Sequence, residues 1–259
     1  TWRDDLTIDQ LEDYVKTAKD FDFIKVLSIK NEVLFRELDS LCKISNISIG
    51  GHYPQYVSDG VLFESNYTSF EHLGGLVEQP ELLDYRIQEI KKKDIFICPT
   101  LSWYSVGSGR YSYEELRNQL GMQYISKEIM NDWIEKTKHY REKLGQEDYY
   151  NEVKEELKKL DIKYKIINTL SKVGVKMLLS PDSSSKYMIS GFGMLGEMKL
   201  LKNADLSNLE ILKMATINFS DFYNENYGTI EIGKDADFIV LSQNPIDNLD
   251  ALKKVEGVF

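Results

Sequence analysis

ISIGGHYPQYVSDGVLFESNYTSFEHL, residues 47–73, is the stretch that decides the fold. It opens on a short apolar strand, ISIGGH, and closes on a second, YTSFEHL, with a helical segment, Gln55–Ser65, between them. Strands of this length alternating with helices predict parallel βαβ units whose sheet is covered on both faces. Upstream, FDFIKVLSI (21–29) is β-branched and aromatic and has the length of a buried strand. Asn31 then caps a helix carrying Val33, Leu34, Leu38 and Leu41, and Leu11–Lys19 is helical before it. Downstream, Pro80 starts a helix through Leu83, Ile87 and Ile90. IFICPTL (95–101) reads as a strand, Lys163–Lys172 as a helix and VKMLL (175–179) as the last strand. The series predicts about five parallel strands, ending near residues 29, 52, 73, 101 and 180.

Two regions interrupt the alternation. Between Leu101 and Asp161 runs a dense charge tract from Glu114 to Lys159, with Trp133, Ile134 and Tyr140 at helical spacing. It predicts a helical insertion, about residues 107–161, exposed on most faces; a solvated hairpin is the favoured reading over a substrate-contacting lid. After Ser185, Gly191–Ala204 and Ser207–Tyr223 are helical. GTIEIGKDADFIVL (228–241) then reads as a hairpin turning at Gly233, and Lys254–Phe259 as a strand. This divides the chain into 1–223, an α/β body, and 224–259, a segment of a small β-domain.

Composition excludes several classes. The chain has 259 residues, 32 basic against 42 acidic, for a net charge of −10, which argues against a general nucleic-acid binder. No run of eighteen apolar residues spans a membrane, and Thr1–Asp5 are too polar to begin a signal peptide. Cys42 and Cys98 make no disulfide framework and read as core thiols. The composition leaves the compartment open.

Four polar residues end or interrupt the apolar strands: Lys25, His52, His72 and Asp182. In a parallel barrel the C-terminal strand ends converge, so residues far apart in sequence meet there. A lone strand-end histidine serves a structural hydrogen bond more often than a metal. Two on successive units favour ligation. His139, inside the charged insertion, reads as surface. Asp182 either caps the following helix or serves a site. Lys25, between Ile24 and Val26, must reach solvent, be compensated, or lose its charge; a neutral lysine can take up carbon dioxide and become a carbamate. The glycines of GSG (107–109) and GFGMLG (191–196) form neither a phosphate loop nor a dinucleotide fingerprint, and no nucleophile elbow occurs.

These residues resemble the amidohydrolase superfamily, metal-dependent hydrolases on a (β/α)₈ barrel, in its prolidase-like and imidazolonepropionase-like branch. DFIKV around Lys25 is similar to the fourth barrel strand, GGHYP with His52 to the fifth and SFEHLGG with His72 to the sixth. ICPTLSWY resembles the seventh strand, LLSPDSS with Asp182 the eighth, and YGTIEIGKDADFIVLSQNPIDN the closing return into a small β-sandwich. The resemblance implies one or two divalent ions, most plausibly zinc, held by Lys25 (as a carbamate if it is carboxylated), His52, His72 and Asp182. It implies Asp182 as the catalytic base and then acid, and a small amide, dipeptide or cyclic amide as substrate. Tyr104, just beyond the seventh strand, is a weak substrate-binding candidate beside an ordinary packing role.

One departure matters. The family's first strand carries a His-x-His pair, and no such pair occurs among the three histidines here. The chain therefore reads as the C-terminal part of a longer barrel, with partners expected to be another copy or a missing N-terminal part. The alternative function is a catalytically inactive scaffold serving binding or assembly.

Overall fold

In the computed structural model the described residues are 7–183 and 185–259; the polar stretch Thr1–Asp5 and Ser184 of the strand-end serine run lie outside them. The chain forms two compact units. The first comprises Thr1–Pro99, Thr169–Leu178 and Thr216–Gly228; the second comprises Thr100–Asn168, Leu179–Ala215 and Thr229–Phe259.

In the first unit, α1 (Ile8–Thr17) begins on a capping box in which Thr7 and Gln10 satisfy each other's amides. Strand β1 (Phe23–Val26) follows, then α2 (Glu32–Ser45). Asn31 caps α2 as expected, its side chain accepting from the Val33 and Leu34 amides, and left-handed Asn46 (φ 53°) ends it. Then come β2 (Ser48–His52), α3 (Asp59–Leu62), β3 (Tyr67–Glu71), α4 (Gly74–Val77), α5 (Leu83–Lys92) and β4 (Phe96–Cys98). The strands pair in parallel in chain order, β1-β2-β3-β4, which is the α/β alternation the sequence predicts. Ile24, Val26, Ile49, Phe70 and Ile97 are buried along this sheet, and Leu38, Ile87 and Ile90 are among the buried residues of its helices.

Several boundaries differ from the sequence expectation. The strand expected over 21–29 is only four residues long, and Lys25 sits in it, in the first strand in the order of the described sheet. The helix expected over Gln55–Ser65 contracts to α3. The reason is local: the Ser58 amide and hydroxyl both donate to the Glu32 carboxylate, at 2.9 and 2.8 Å, so that amide is not available to an earlier helical turn. The fifth strand is reduced to one bridge, Met177 beside Ile97. Its ladder stops because the Asn218 side chain donates to the Met177 carbonyl at 2.7 Å, while the Leu179 amide donates to Met214. Cys42 is buried and its thiol is pushed up to about 12 by desolvation, as a core thiol should be; Cys98 is only partly buried.

The second unit begins with α6 (Leu101–Gly107), α7 (Tyr113–Arg117), α8 (Lys127–Leu144) and α9 (Gln146–Val173), whose last turn falls in the first unit's residues. Then come α10 (Phe192–Lys202) and α11 (Asn208–Met214); α12 (Ile217–Tyr223) belongs to the first unit. The insertion is helical and exposed on most faces, as its charge pattern predicts, and it buries one apolar stripe. Leu116, Met122, Met130, Ile134 and Tyr187 form a buried cluster, with Trp133 and Ile189 packed against it. The charged residues occupy the opposite helix faces, so the sequence tract looks more polar than the fold it makes.

The hairpin expected over 228–241 is also revised. Gly233 (φ 89°) does turn the chain between Glu231 and Lys234, but β5 (Ile239–Leu241) pairs antiparallel with β6 (Val255–Val258) instead. Ile230 and Ile232 are fully exposed, so a hairpin there would bury no apolar face within the described residues. The Lys254–Phe259 strand forms as β6. Among the described residues no helix is long and apolar enough to cross a membrane.

Candidate functional site

In the first unit, the polar strand-end residues follow from the pairing register. Lys25 of β1 lies beside Gly50 of β2, and His52 lies beside Glu71 of β3, so His72 falls one residue past the end of its strand. His72 takes a left-handed backbone (φ 66°), which is rare for a residue with a side chain and costs of order 1 kcal/mol. Its amide still donates to Cys98 at 2.8 Å, so the turn is held by the β4 ladder. The outcome is an edge-to-face pair of imidazoles, His52 and His72, with ring centroids 4.8 Å apart.

Lys25 resolves its dilemma in two ways at once. Its side chain is 44% exposed, and its ammonium pairs with the Glu71 carboxylate, which is 16% exposed. Glu71 was not singled out from sequence. Its signal was an acidic residue inside the otherwise apolar run YTSFEHL. Gly51 has φ 128°, and a β-carbon there would lie 2.2 Å from the Val26 carbonyl, so the close approach of β1 and β2 demands glycine.

A buried network holds the loops behind both histidines, and nothing in the sequence marked it. Arg86 of α5, 4% exposed, donates from Nε and Nη2 to the Asp59 carboxylate at 2.8 and 3.0 Å, and from Nη2 to Gln79 at 2.6 Å. Its Nη1 donates to the Gly75 carbonyl, and its guanidinium lies 4.6 Å from the centre of the Tyr53 ring. The Tyr53 hydroxyl in turn donates to Asp59 at 2.6 Å. Tyr53 follows His52, and Gly75 lies three residues after His72, so one guanidinium ties together the two segments leaving the imidazole pair.

In the second unit, Asp182 is half-buried and left-handed (φ 49°), and Tyr187, later in the same loop, is left-handed too (φ 63°). Thr100, immediately before α6, is the third such residue beyond a strand-like run (φ 52°). Tyr104 of α6 packs as expected of an aromatic residue, its ring centre 4.0 Å from the ammonium of buried Lys163. Sequence reasoning also missed Glu197. This carboxylate is fully buried and accepts the Leu101 and Ser102 amides at 2.7 and 2.6 Å, anchoring the start of α6. Burial raises it from 4.5 to about 7, against the pull of those two hydrogen bonds.

Lys25, His52 and His72 thus share one unit, on three successive strands, while Asp182 and Tyr104 belong to the other. His139 is exposed, as its charged context predicted. Among the described residues no three His, Cys, Asp or Glu side chains gather to hold a metal ion. The donors fit one divalent ion in part. Two adjacent imidazoles supply two ligands, and Lys25 supplies an oxygen only once carboxylated.

The sequence model of the amidohydrolase family matches residues 121–259. No curated protein matches the chain in sequence. Among solved structures, bottromycin amidohydrolase is similar with a TM-score of 0.77 at 21% identity, covering 98% of this chain and 58% of that one. A Xaa-Pro dipeptidase with bound methionine in the active site matches with a TM-score of 0.63 at 14% identity, over 98% of this chain and 57% of that one. The ochratoxinase of A. niger matches with a TM-score of 0.67 at 15% identity, over 98% of this chain and 53% of its own. The chain therefore spans little more than half the length of these structures.

Proposed function

The chain belongs to the amidohydrolase family, and from that premise we propose that it forms part of a metal-dependent hydrolase cleaving the C–N bond of a small amide, such as a dipeptide or cyclic amide. In this reading the four parallel strands are part of a (β/α)₈ barrel whose C-terminal strand ends carry the chemistry. The observation that carries the proposal is the facing pair His52 and His72 at the ends of adjacent strands, held in place by a strained turn and the Arg86 network.

His52 and His72 would hold the ion, with Lys25 joining as a carbamate. The ion, most plausibly zinc, supplies Lewis acidity to the substrate carbonyl and makes a water easier to deprotonate. Asp182 would accept a proton from the attacking water as the new C–O bond forms. The same carboxyl would then return that proton to the departing nitrogen as the C–N bond breaks. Tyr104 is assigned no step, since its ring is committed to Lys163. The expected partners are a small substrate and either a second copy or a further polypeptide completing the barrel, with no nucleic acid.

A second reading, a scaffold without catalysis that serves binding or assembly, is favoured by one observation: the described residues gather no three His, Cys, Asp or Glu side chains for a metal. Equilibrium dialysis against zinc separates the two. The hydrolase reading expects about one equivalent bound, lost in His52→Ala and His72→Ala, together with metal-dependent release of amine from dipeptides. Binding below roughly a tenth of an equivalent overturns it in favour of the scaffold.

A further inference from the structure

We propose that the helical insertion and the Asp182 loop together build a preformed subsite for an aromatic side chain. It is a cleft of about 200 Å³ walled by the rings of Trp103, Tyr111, Tyr140, Tyr149 and Tyr187, with the charged Arg141, Glu152 and Lys186 also on its lining. The assignment of this cleft to a substrate rests on the hydrolase reading above; its binding chemistry does not.

The loop and the insertion are joined at Tyr187. Five residues after Asp182, this side chain enters the buried cluster of Leu116, Met130 and Ile134. Its hydroxyl lies 2.7 Å from that of Thr137, and its ring meets Trp133 edge-on at 5.6 Å. The left-handed backbone at both Asp182 and Tyr187 is the conformational cost of that anchoring. The insertion thus shapes the loop that carries the candidate base.

The cleft walls are tied to one another by contacts within the protein. The Arg141 guanidinium lies between the rings of Tyr113 and Tyr149, 4.6 and 4.9 Å from their centres, and donates to the Gly109 and Tyr111 carbonyls at 3.2 and 2.7 Å. The Tyr149 hydroxyl donates to the Gly109 carbonyl, and that of Tyr140 to the Glu152 carboxylate at 2.7 Å. The Tyr140 and Tyr149 hydroxyls are thus committed to protein acceptors and Arg141 covers one face of Tyr149, so the cleft offers a ligand mainly the exposed rings of Trp103 and Tyr140. Trp103 and Tyr140, at 41% and 49% exposure, keep it open to solvent. An apolar cavity of about 150 Å³ takes a benzene, whereas whole drug-sized ligands need about 300 Å³ or more. The volume therefore suits one ring and its linking methylene, with the rest of the ligand left outside. Walls already in place avoid much of the ordering cost of binding.

The test is calorimetric titration of the full chain, without added metal, against N-acetyl-phenylalanine amide, N-acetyl-leucine amide and N-acetyl-alanine amide. The phenylalanine probe should bind at least about tenfold more tightly than either other probe, since stacking adds to area burial. Trp103→Ala and Tyr140→Ala should each remove most of that preference, with the far-UV circular dichroism unchanged. Equal affinity for the three probes, or unchanged phenylalanine binding in both variants, overturns the subsite. A leucine probe that matches phenylalanine overturns the aromatic assignment. Because no metal or turnover enters, loss of zinc binding at the histidine pair would leave this result standing, and the reverse holds as well.

Discussion

The Arg86 guanidinium grips the Asp59 carboxylate through two hydrogen bonds of 2.8 and 3.0 Å, in a pocket where the arginine is 4% exposed. Removing one member of such a pair leaves the other charge buried and uncompensated, which costs about 3–5 kcal/mol. Arg86→Met should therefore lower stability by that order in chemical denaturation. Arg86→Lys should recover charge but not the bidentate geometry, and should weaken zinc binding at His52 and His72 more than it lowers Tm. Parallel losses in both quantities would reduce Arg86 to a purely structural role.

Glu197 makes stability depend on pH. Its carboxyl rises from 4.5 to about 7 in the folded protein through burial, so the native state keeps a proton that the unfolded chain releases over this range. Stability from this group is full below pH 4.5 and falls as pH climbs through 7, by about 3 kcal/mol in total. Glu197→Gln should flatten that slope between pH 5 and 8 in thermal melts. A wild-type slope that survives the substitution would assign the effect to other groups.

Glu71 controls what Lys25 can become. A carbamate at Lys25 would be an anion beside the Glu71 carboxylate, and even water-screened repulsion at about 4 Å is worth about 1 kcal/mol. Glu71→Gln should thus raise carbamate occupancy by about fivefold, read as the carbonyl signal in ¹³C-bicarbonate NMR. Equal signals in the two proteins would show that Glu71 does not set this equilibrium.

Gly75 is a packing requirement. A β-carbon there would lie 2.1 Å from the Tyr53 ring, whose hydroxyl is fixed on Asp59. Gly75→Ala should cost about 1–3 kcal/mol, as overpacking does, and Tyr53→Leu in the same chain should recover part of it. Urea denaturation of the two variants reads both values.

Much of the fold was legible along the chain because its signals are local. Apolar periodicity marked the four parallel strands, and an asparagine before an apolar run marked the start of α2. The histidines at successive strand ends were equally readable, since each closes its own apolar run. By contrast, periodicity could not locate the partners that stop an element, such as Glu32 for the segment before α3 or Asn218 for the fifth strand. The charged insertion was legible as exposed helices, but not the cluster its one apolar face makes with Leu116, Met122 and Tyr187, which packing alone selects.

By itself, then, the sequence determined the α/β alternation, the resemblance to amidohydrolases, and the placing of His52, His72 and Asp182 at the ends of apolar runs. Only the tertiary structure decided that Lys25 is paired with Glu71, that Arg86, Lys163 and Glu197 are buried, and that Tyr187 joins the Asp182 loop to the insertion. The physical reason is range. Backbone propensity and hydrophobic period act over a few neighbours, but a buried charge is stable only beside a partner that folding brings from elsewhere in the chain.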